Sequence, residues 1–203
     1  DYILTLYEEM LQHDILVTNH YLSHHHFKNI FSIALHLGKI AWTKRFVETY
    51  NEQLPPEIQE YMVLLSKASI AFYEKDYEEA QYLVAQIREI NFTYHLNKEL
   101  LLLKTFYLCR NKYLETKLES FRSYLRTNKQ LSANVKKAYE NFYKALKQLH
   151  RLRERYFFLK NDSKNLLKLK LQVEKLLAKL QNRDDIVSSV WLIEQTEILL
   201  RKF

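Results

Sequence analysis

LLSKASIAFYEKDYEEA, residues Leu64–Ala80, is the stretch that decides the fold. Leu64, Ala68 and Ala71 recur at steps of four and three, the spacing that lines one face of an α-helix. The pattern stops at Lys75-Asp76 and restarts with Tyr77 and Ala80, continuing to Val84 and Ile87. Asp76 with Glu79 three residues on has the form of a helix N-cap and its acidic partner. The reading is a tight hairpin of two helices, Glu57 to Tyr73 and Tyr77 to Ile90, turning around Lys75-Asp76.

Outward from that hairpin the same grammar holds. Towards the N-terminus, Tyr2 to Gln12 places Ile3, Leu4, Tyr7, Met10 and Leu11 at helical spacing. A second helix is expected from Tyr21 to Leu37, ended by Gly38, where a positive φ is free of side-chain clash, and a third from Ile40 to Tyr50. Pro55-Pro56 then separates the segments, Pro56 suiting a first helical turn in which its missing donor is not needed. Towards the C-terminus another pair spans Lys98 to Cys109 and Tyr113 to Arg126. From residue 133 the helices lengthen. Val135, Ala138, Phe142, Ala145, Leu149, Leu152, Tyr156 and Leu159 form one uninterrupted stripe, and Leu166, Leu169, Val173, Leu176 and Leu180 form a second. Asn161, Asp162 and Ser163 offer the turn and cap between them, and Asp184 or Asp185 a cap for a last helix carrying Ile186, Val190, Trp191, Ile193 and Leu200. The two striped helices read as an antiparallel hairpin closing the array, the alternative being a coiled coil with a second chain and hence a dimer. More than two-thirds helix and no sheet are expected.

Composition excludes as much as periodicity includes. Glycine occurs once in 203 residues and proline only as the adjacent pair, so phosphate-cradling loops and strained nucleophile turns, which bring backbone close to a ligand, have no raw material. Hydrophobic residues make up 47% of the chain, enough for a core without disulfides or a structural metal. The single Cys109 cannot bridge internally, lies in an apolar stretch and is expected to be a small buried hydrophobe; a reducing, cytoplasmic setting fits. No run approaches the roughly 18 apolar residues of a membrane span. The first residue is Asp1 and not Met, which predicts further natural chain upstream. Charge is divided: residues 1–100 carry −6 and residues 101–203 carry +13, out of a total of +7. The basic half suits an acidic protein, a nucleic acid or an anionic membrane, or serves as a solvated face.

Laid over one another, the second helices come into register. Ile40, Thr43, Val47 and Tyr50 correspond to Tyr77, Ala80, Val84 and Ile87, and then to Tyr113, Thr116, Ser120 and Ser123, at offsets of 37 and 36. Over residues 21–128 the chain resembles the tetratricopeptide repeat family, best in the unit containing Leu64, Ala68, Ala71 and Asp76-Tyr77-Glu78-Glu79-Ala80, with Lys75 in place of the usual turn glycine. It is also similar to the C-terminal part of larger, uncharacterised bacterial helical-repeat proteins, a resemblance that carries no activity. The resemblance implies an all-α fold of antiparallel hairpins stacked as a right-handed superhelix. Residues 1–130 would form the repeat array, and residues 131–203 the long helices that pack on it or cap it as one continuous solenoid. Such a stack has a concave surface lined by first helices. On it the family alignment would place His25, Lys28, Ser32, His36, Ser69, Tyr73, Lys98 and Thr105.

Two clusters invite a chemical reading. His20 and His24 are four apart and could share a helix face, with His25 and His26 beside them, but no third ligand set accompanies them, so no metal and no cofactor is expected. No nucleophile with a recognisable base is present either, and the chain is read as no enzyme. The expectation is a non-catalytic protein-interaction scaffold for a protein or peptide partner. The alternative is a nucleic-acid-binding helical module using Lys136, Lys137, Lys144, Lys147, Arg151 and Arg155, although these spread around the long helix.

Overall fold

The computed structural model describes residues 2–88, 92–159 and 163–203, with the backbone alone at Ser163. It is 79% helix. Among the described residues the helices are α1 (Tyr2–Gln12), α2 (His24–His36), α3 (Ile40–Tyr50), α4 (Pro56–Tyr73), α5 (Tyr77–Gln86), α6 (Phe92–Leu108), α7 (Leu114–Thr127), α8 (Ala133–Leu159), α9 (Ser163–Gln181) and α10 (Ser189–Leu200). The chain divides into two compact units, Asp1–Asn111 and Lys112–Phe203. The division falls ahead of α7, which clusters with the long helices that follow it.

In the first unit the expected absence of sheet is corrected. Val17–Thr18 (β1) and Tyr21–Leu22 (β2) pair antiparallel, Val17 opposite Leu22 and Thr18 opposite Tyr21. The two residues between them, Asn19 and His20, both have positive φ, of 50° and 69°. A two-residue hairpin loop needs that conformation to match the twist of its strands, and asparagine adopts it more readily than most residues. The helix expected from Tyr21 therefore begins only at His24, and its apolar periodicity upstream belongs to a strand whose Leu22 is fully buried.

α2, α4 and α6 end alike. Gly38, Lys75 and Arg110 take φ of +73°, +66° and +53°. At each, the positive-φ residue donates its N–H to the carbonyl three residues back and the next residue donates to the carbonyl five back. These bonds are Gly38 to Leu35 and Lys39 to Ala34, Lys75 to Phe72 and Asp76 to Ala71, Arg110 to Tyr107 and Asn111 to Phe106, at 2.9 to 3.3 Å. This double bond satisfies carbonyls that a helix end leaves orphaned. Only one of the three sites has the glycine that the geometry prefers. After the second turn, Asp76 caps α5 by accepting the Glu79 N–H at 3.0 Å, as expected. The reciprocal bond to the Asp76 N–H is not made, because that donor already serves Ala71.

α2 packs on α3 and α4, α4 on α5, and α6 on both α4 and α5. Phe27, Phe31 and Phe46 form the aromatic centre beneath α2 and α3, with ring centroids 5.0 Å apart for Phe27 and Phe46. Thr43 and Val47 on α3 are buried, as are Ala80 and Val84 on α5, the positions aligned with them in sequence. The positions aligned with these in α7 and just before it differ: Tyr113, Thr116, Ser120 and Ser123 are exposed, and α7 buries Leu114, Leu118, Phe121 and Leu125 instead. A one-residue slip turns a helix by about 100°, and the larger apolar stripe takes the core. The expected end of α5 at Ile90 lies outside the described residues; α5 ends at Gln86, with Ile87 extended.

In the second unit α7 and α9 pack on α8, and α10 packs on both α8 and α9. Arg155 near the end of α8 meets Gln172 of α9 at 2.8 Å, while Asn141 near its start meets the Asp185 carbonyl at 3.0 Å, so α9 runs antiparallel to α8. Tyr156 donates to the Lys202 carbonyl at 2.8 Å, which places the far end of α10 beside the end of α8. The expected stripes are the core: Phe142, Ala145, Leu149 and Leu152 face Leu169, Val173, Leu176 and Leu180, all buried. Val135 and Val190 are corrected to exposed positions. Burial beside Phe121 pushes the Tyr139 phenol up to about 12. The cap expected at Asn161, Asp162 and Ser163 lies outside the described residues. The last helix starts later than expected, behind Ser188 in left-handed conformation, and Asp185 pairs with Arg183 at 2.7 Å rather than capping it.

Candidate functional site

Polar side chains from α2, α4 and α6 converge near the N-terminal ends of α2 and α6. Lys28 on α2 donates its Nζ to Asn97 Oδ1 on α6 at 2.7 Å. Burial of the ammonium pushes the Lys28 pKa down, since a desolvated charge is disfavoured. One turn earlier His24 lies 4.0 Å from the His25 ring and 6.0 Å from Tyr94. Burial, then the neighbouring His25, lowers the His24 pKa, with Glu57 at the start of α4 opposing them. The ring of Tyr61 on α4 lies 4.4 Å from that of Tyr94, tilted by 48°, and its hydroxyl donates to the Tyr94 carbonyl at 3.0 Å. The Tyr94 phenol is raised by burial and by Glu57. The arrangement offers one half-buried cation, two imidazoles and a carboxylate above two buried aromatic rings, a surface suited to hydrogen bonding.

The eight residues expected on a first-helix surface separate into three groups. His25, Ser32, His36 and Tyr73 are exposed. Lys28, Ser69 and Lys98 are half-buried and engaged within the chain, Ser69 with the Leu65 carbonyl at 2.7 Å and Lys98 with the Ile87 carbonyl at 2.9 Å. Thr105 is corrected: it is fully buried and its hydroxyl donates to the Leu101 carbonyl at 2.8 Å, so it meets no partner on a surface. Asn97, Tyr61 and Tyr94 were not legible as members of this group, because Lys28 and Asn97 stand 69 positions apart in the chain.

The histidine cluster is also redistributed. His20 sits in the hairpin turn and His24 on α2, so they share no helix face. Among the described residues no group of three or more His, Cys, Asp or Glu is placed to hold a metal ion. Cys109 is corrected from buried to exposed: it follows the last residue of α6 and precedes the positive-φ Arg110, which carries it past the packed face. Its thiol lies 3.8 Å from the Phe106 carbonyl and 3.7 Å from Gln81 Nε2.

Two grooves open elsewhere on this unit. One of about 550 Å³ is lined by Asn51, Gln59, Glu60, Leu64 and Arg88. The other, about 400 Å³, lies between α1 and α3, where Trp42 stacks on Phe46 at 5.4 Å and the tilted ring of Tyr50 lies 5.2 Å from Phe46, with Glu8 and Arg45 at its rim.

In the second unit the six basic residues of α8 expected to form a patch fall into two columns rather than a scatter, while the seventh, Arg153, is buried. Lys137, Lys144, Arg151 and Arg155 recur at seven, seven and four, which the helical period returns to one side, and all four are exposed. Lys136 and Lys147 lie on the flank. Lys136 donates to the Arg126 carbonyl at 3.2 Å; Lys147 pairs with Glu119, which also accepts from Tyr143 at 2.9 Å. That pairing holds the Glu119 carboxyl below its ordinary range and raises Lys147. Lys137 pairs with Asp185 at 3.1 Å. No protein family, curated protein or solved structure matches this chain.

Proposed function

We propose that this protein is a non-catalytic scaffold that binds a protein or peptide partner through the first helices of its N-terminal unit. The observation that carries the reading is the convergence of Lys28, His24, His25, Tyr94 and Asn97 from α2 and α6 with Tyr61 of α4, next to exposed Ser32 and His36 on the outer face of α2. Three similar helix-ending turns, at Gly38, Lys75 and Arg110, support a repeated hairpin plan in which successive first helices stand side by side. The chemistry favours a segment with acidic and amide groups, which Lys28 and the two imidazoles would receive.

A photo-crosslinking amino acid at His25 or His36, set against the same group at exposed Tyr82 on α5, tests it in the native source. The scaffold reading expects one protein adduct formed from His25 and His36, absent from Tyr82 and lost on adding Lys28→Glu. Adducts of equal yield from Tyr82, or none from α2, would sink it.

A further inference from the structure

The second unit carries 21 Lys and Arg against 10 Asp and Glu, a net charge of +11, and much of the excess is concentrated on one surface. On α9, Lys164, Lys168, Lys175 and Lys179 are all exposed and recur at four, seven and four, on one side of the helix. The one carboxylate of α9, Glu174, is half-buried to the side of that column. The hydrogen bond from Arg155 to Gln172 joins the edge of this column to the exposed basic column of α8. Lys144 and Arg151 on α8, and the four lysines of α9, are paired with no carboxylate among the described residues. The lysine column alone is about 22 Å long at 1.5 Å per residue.

Charge is half of the pattern. Leu167 and Leu171 lie on the outer face of α9 between and beside the lysines, and they remain 63% and 51% exposed, while Phe158 near the end of α8 is 88% exposed. The packed side of α9 is already supplied by Leu169, Val173, Leu176 and Leu180, so these outward leucines are not needed for the core. A phosphodiester backbone gives aliphatic side chains nothing to contact. A bilayer does: lysines stay at the level of the lipid phosphates while leucine and phenylalanine enter the acyl boundary. No described helix is long and apolar enough to cross a membrane, and surface docking needs none.

We infer that the outer face of α8 and α9 docks on an anionic phospholipid surface, the lysines and arginines meeting the headgroups and Leu167, Leu171 and Phe158 inserting beside them. The attraction is felt within about a Debye length, ~8 Å at physiological salt, so the face must lie against the membrane and not merely near it.

Co-sedimentation of the full chain with vesicles tests this. Vesicles of phosphatidylcholine with about a third phosphatidylserine are compared with pure phosphatidylcholine, and a mixed-sequence DNA duplex and an RNA of equal phosphate content serve as competing probes. Binding is expected to the anionic vesicles alone. Each lysine near the surface contributes roughly fivefold, so Lys164→Gln, Lys168→Gln, Lys175→Gln and Lys179→Gln together should weaken it by two to three orders of magnitude. Leu167→Ser with Leu171→Ser should weaken it at least tenfold with charge unchanged. Both sets alter exposed positions, and an unchanged far-ultraviolet spectrum checks the fold. Tighter binding to either nucleic acid than to anionic vesicles would overturn the inference in favour of phosphate-backbone recognition. Absence of binding to anionic vesicles, or binding indifferent to either set of substitutions, would overturn it outright.

Discussion

Replacing Gly38 by alanine and Lys75 by glycine should move stability in opposite directions, and the size of both shifts can be worked from the backbone. Both residues occupy the same place in the same turn, with φ of +73° and +66°. A Cβ built on Gly38 meets no atom within 4 Å, so Gly38→Ala introduces no clash with the surroundings. What remains is conformational. An L-residue held in the left-handed region costs roughly 1–2 kcal/mol relative to its preferred basins. Alanine restricts the unfolded chain more than glycine does and returns about 0.4–1 kcal/mol. Gly38→Ala should therefore destabilise by about 1 kcal/mol, and Lys75→Gly, at an exposed side chain, should stabilise by a similar amount. Trp42 lies in the first unit and Trp191 in the second. With Trp191 changed to phenylalanine, urea unfolding followed by Trp42 fluorescence reports the first unit alone. At a slope of about 1–3 kcal/mol per molar urea, each substitution shifts the midpoint by a few tenths of a molar to about 1 M. If Gly38→Ala is neutral, or Lys75→Gly lowers the midpoint, the shared turn geometry is not what ends these helices.

Three further outcomes are expected. Asn97→Ala should leave the half-buried Lys28 ammonium without its acceptor and destabilise the first unit by about 1–3 kcal/mol, whereas Lys28→Met combined with Asn97→Leu should recover most of that; a double variant as unstable as Asn97→Ala would show that the bond is incidental. Ala80→Leu should overpack the buried face of α5 by about 1–3 kcal/mol, and an unchanged urea midpoint would mean that the contact tolerates the added volume. Burial, helped by Arg153, lowers the His150 pKa below the 6.5 of a free imidazole, with Glu154 and Glu115 opposing. The unfolded chain therefore binds this proton at a higher pH than the folded one, so stability should fall as pH drops below about 6.5. His150→Gln should reduce that slope in Trp191-detected unfolding, and an identical slope in the variant would remove His150 as its source.

The residues that carried the helical reading did so through local periodicity alone. Leu64, Ala68 and Ala71, the restart at Tyr77, and the long stripes of α8 and α9 set element type, and Asp76 set a boundary, because spacing and capping depend on near neighbours. Local signals failed where two readings had similar strength. Tyr21 and Leu22 fit a helix stripe as well as a strand, and the paired positive φ of Asn19 and His20 decided for the hairpin. In α7 the face through Tyr113 and Thr116 competes with the one through Leu114 and Leu118, one residue away, and packing in the second unit selected the more apolar.

The sequence by itself determined a predominantly helical chain poor in glycine, with its positive charge in the second half, since composition and period need no knowledge of distant contacts. Only the tertiary structure decided which polar groups meet. It brought Lys28 to Asn97 and Tyr61 to Tyr94, turned Cys109 outward and sealed Thr105 inside. It also sorted the cations of α8 into one exposed column beside α9 and a flank tied to Glu119 and Arg126. The physical reason is the same in each case. A polar side chain's role is set by whether water, a carboxylate or another helix occupies the space beside it, and that neighbour comes from dozens of positions away in the chain.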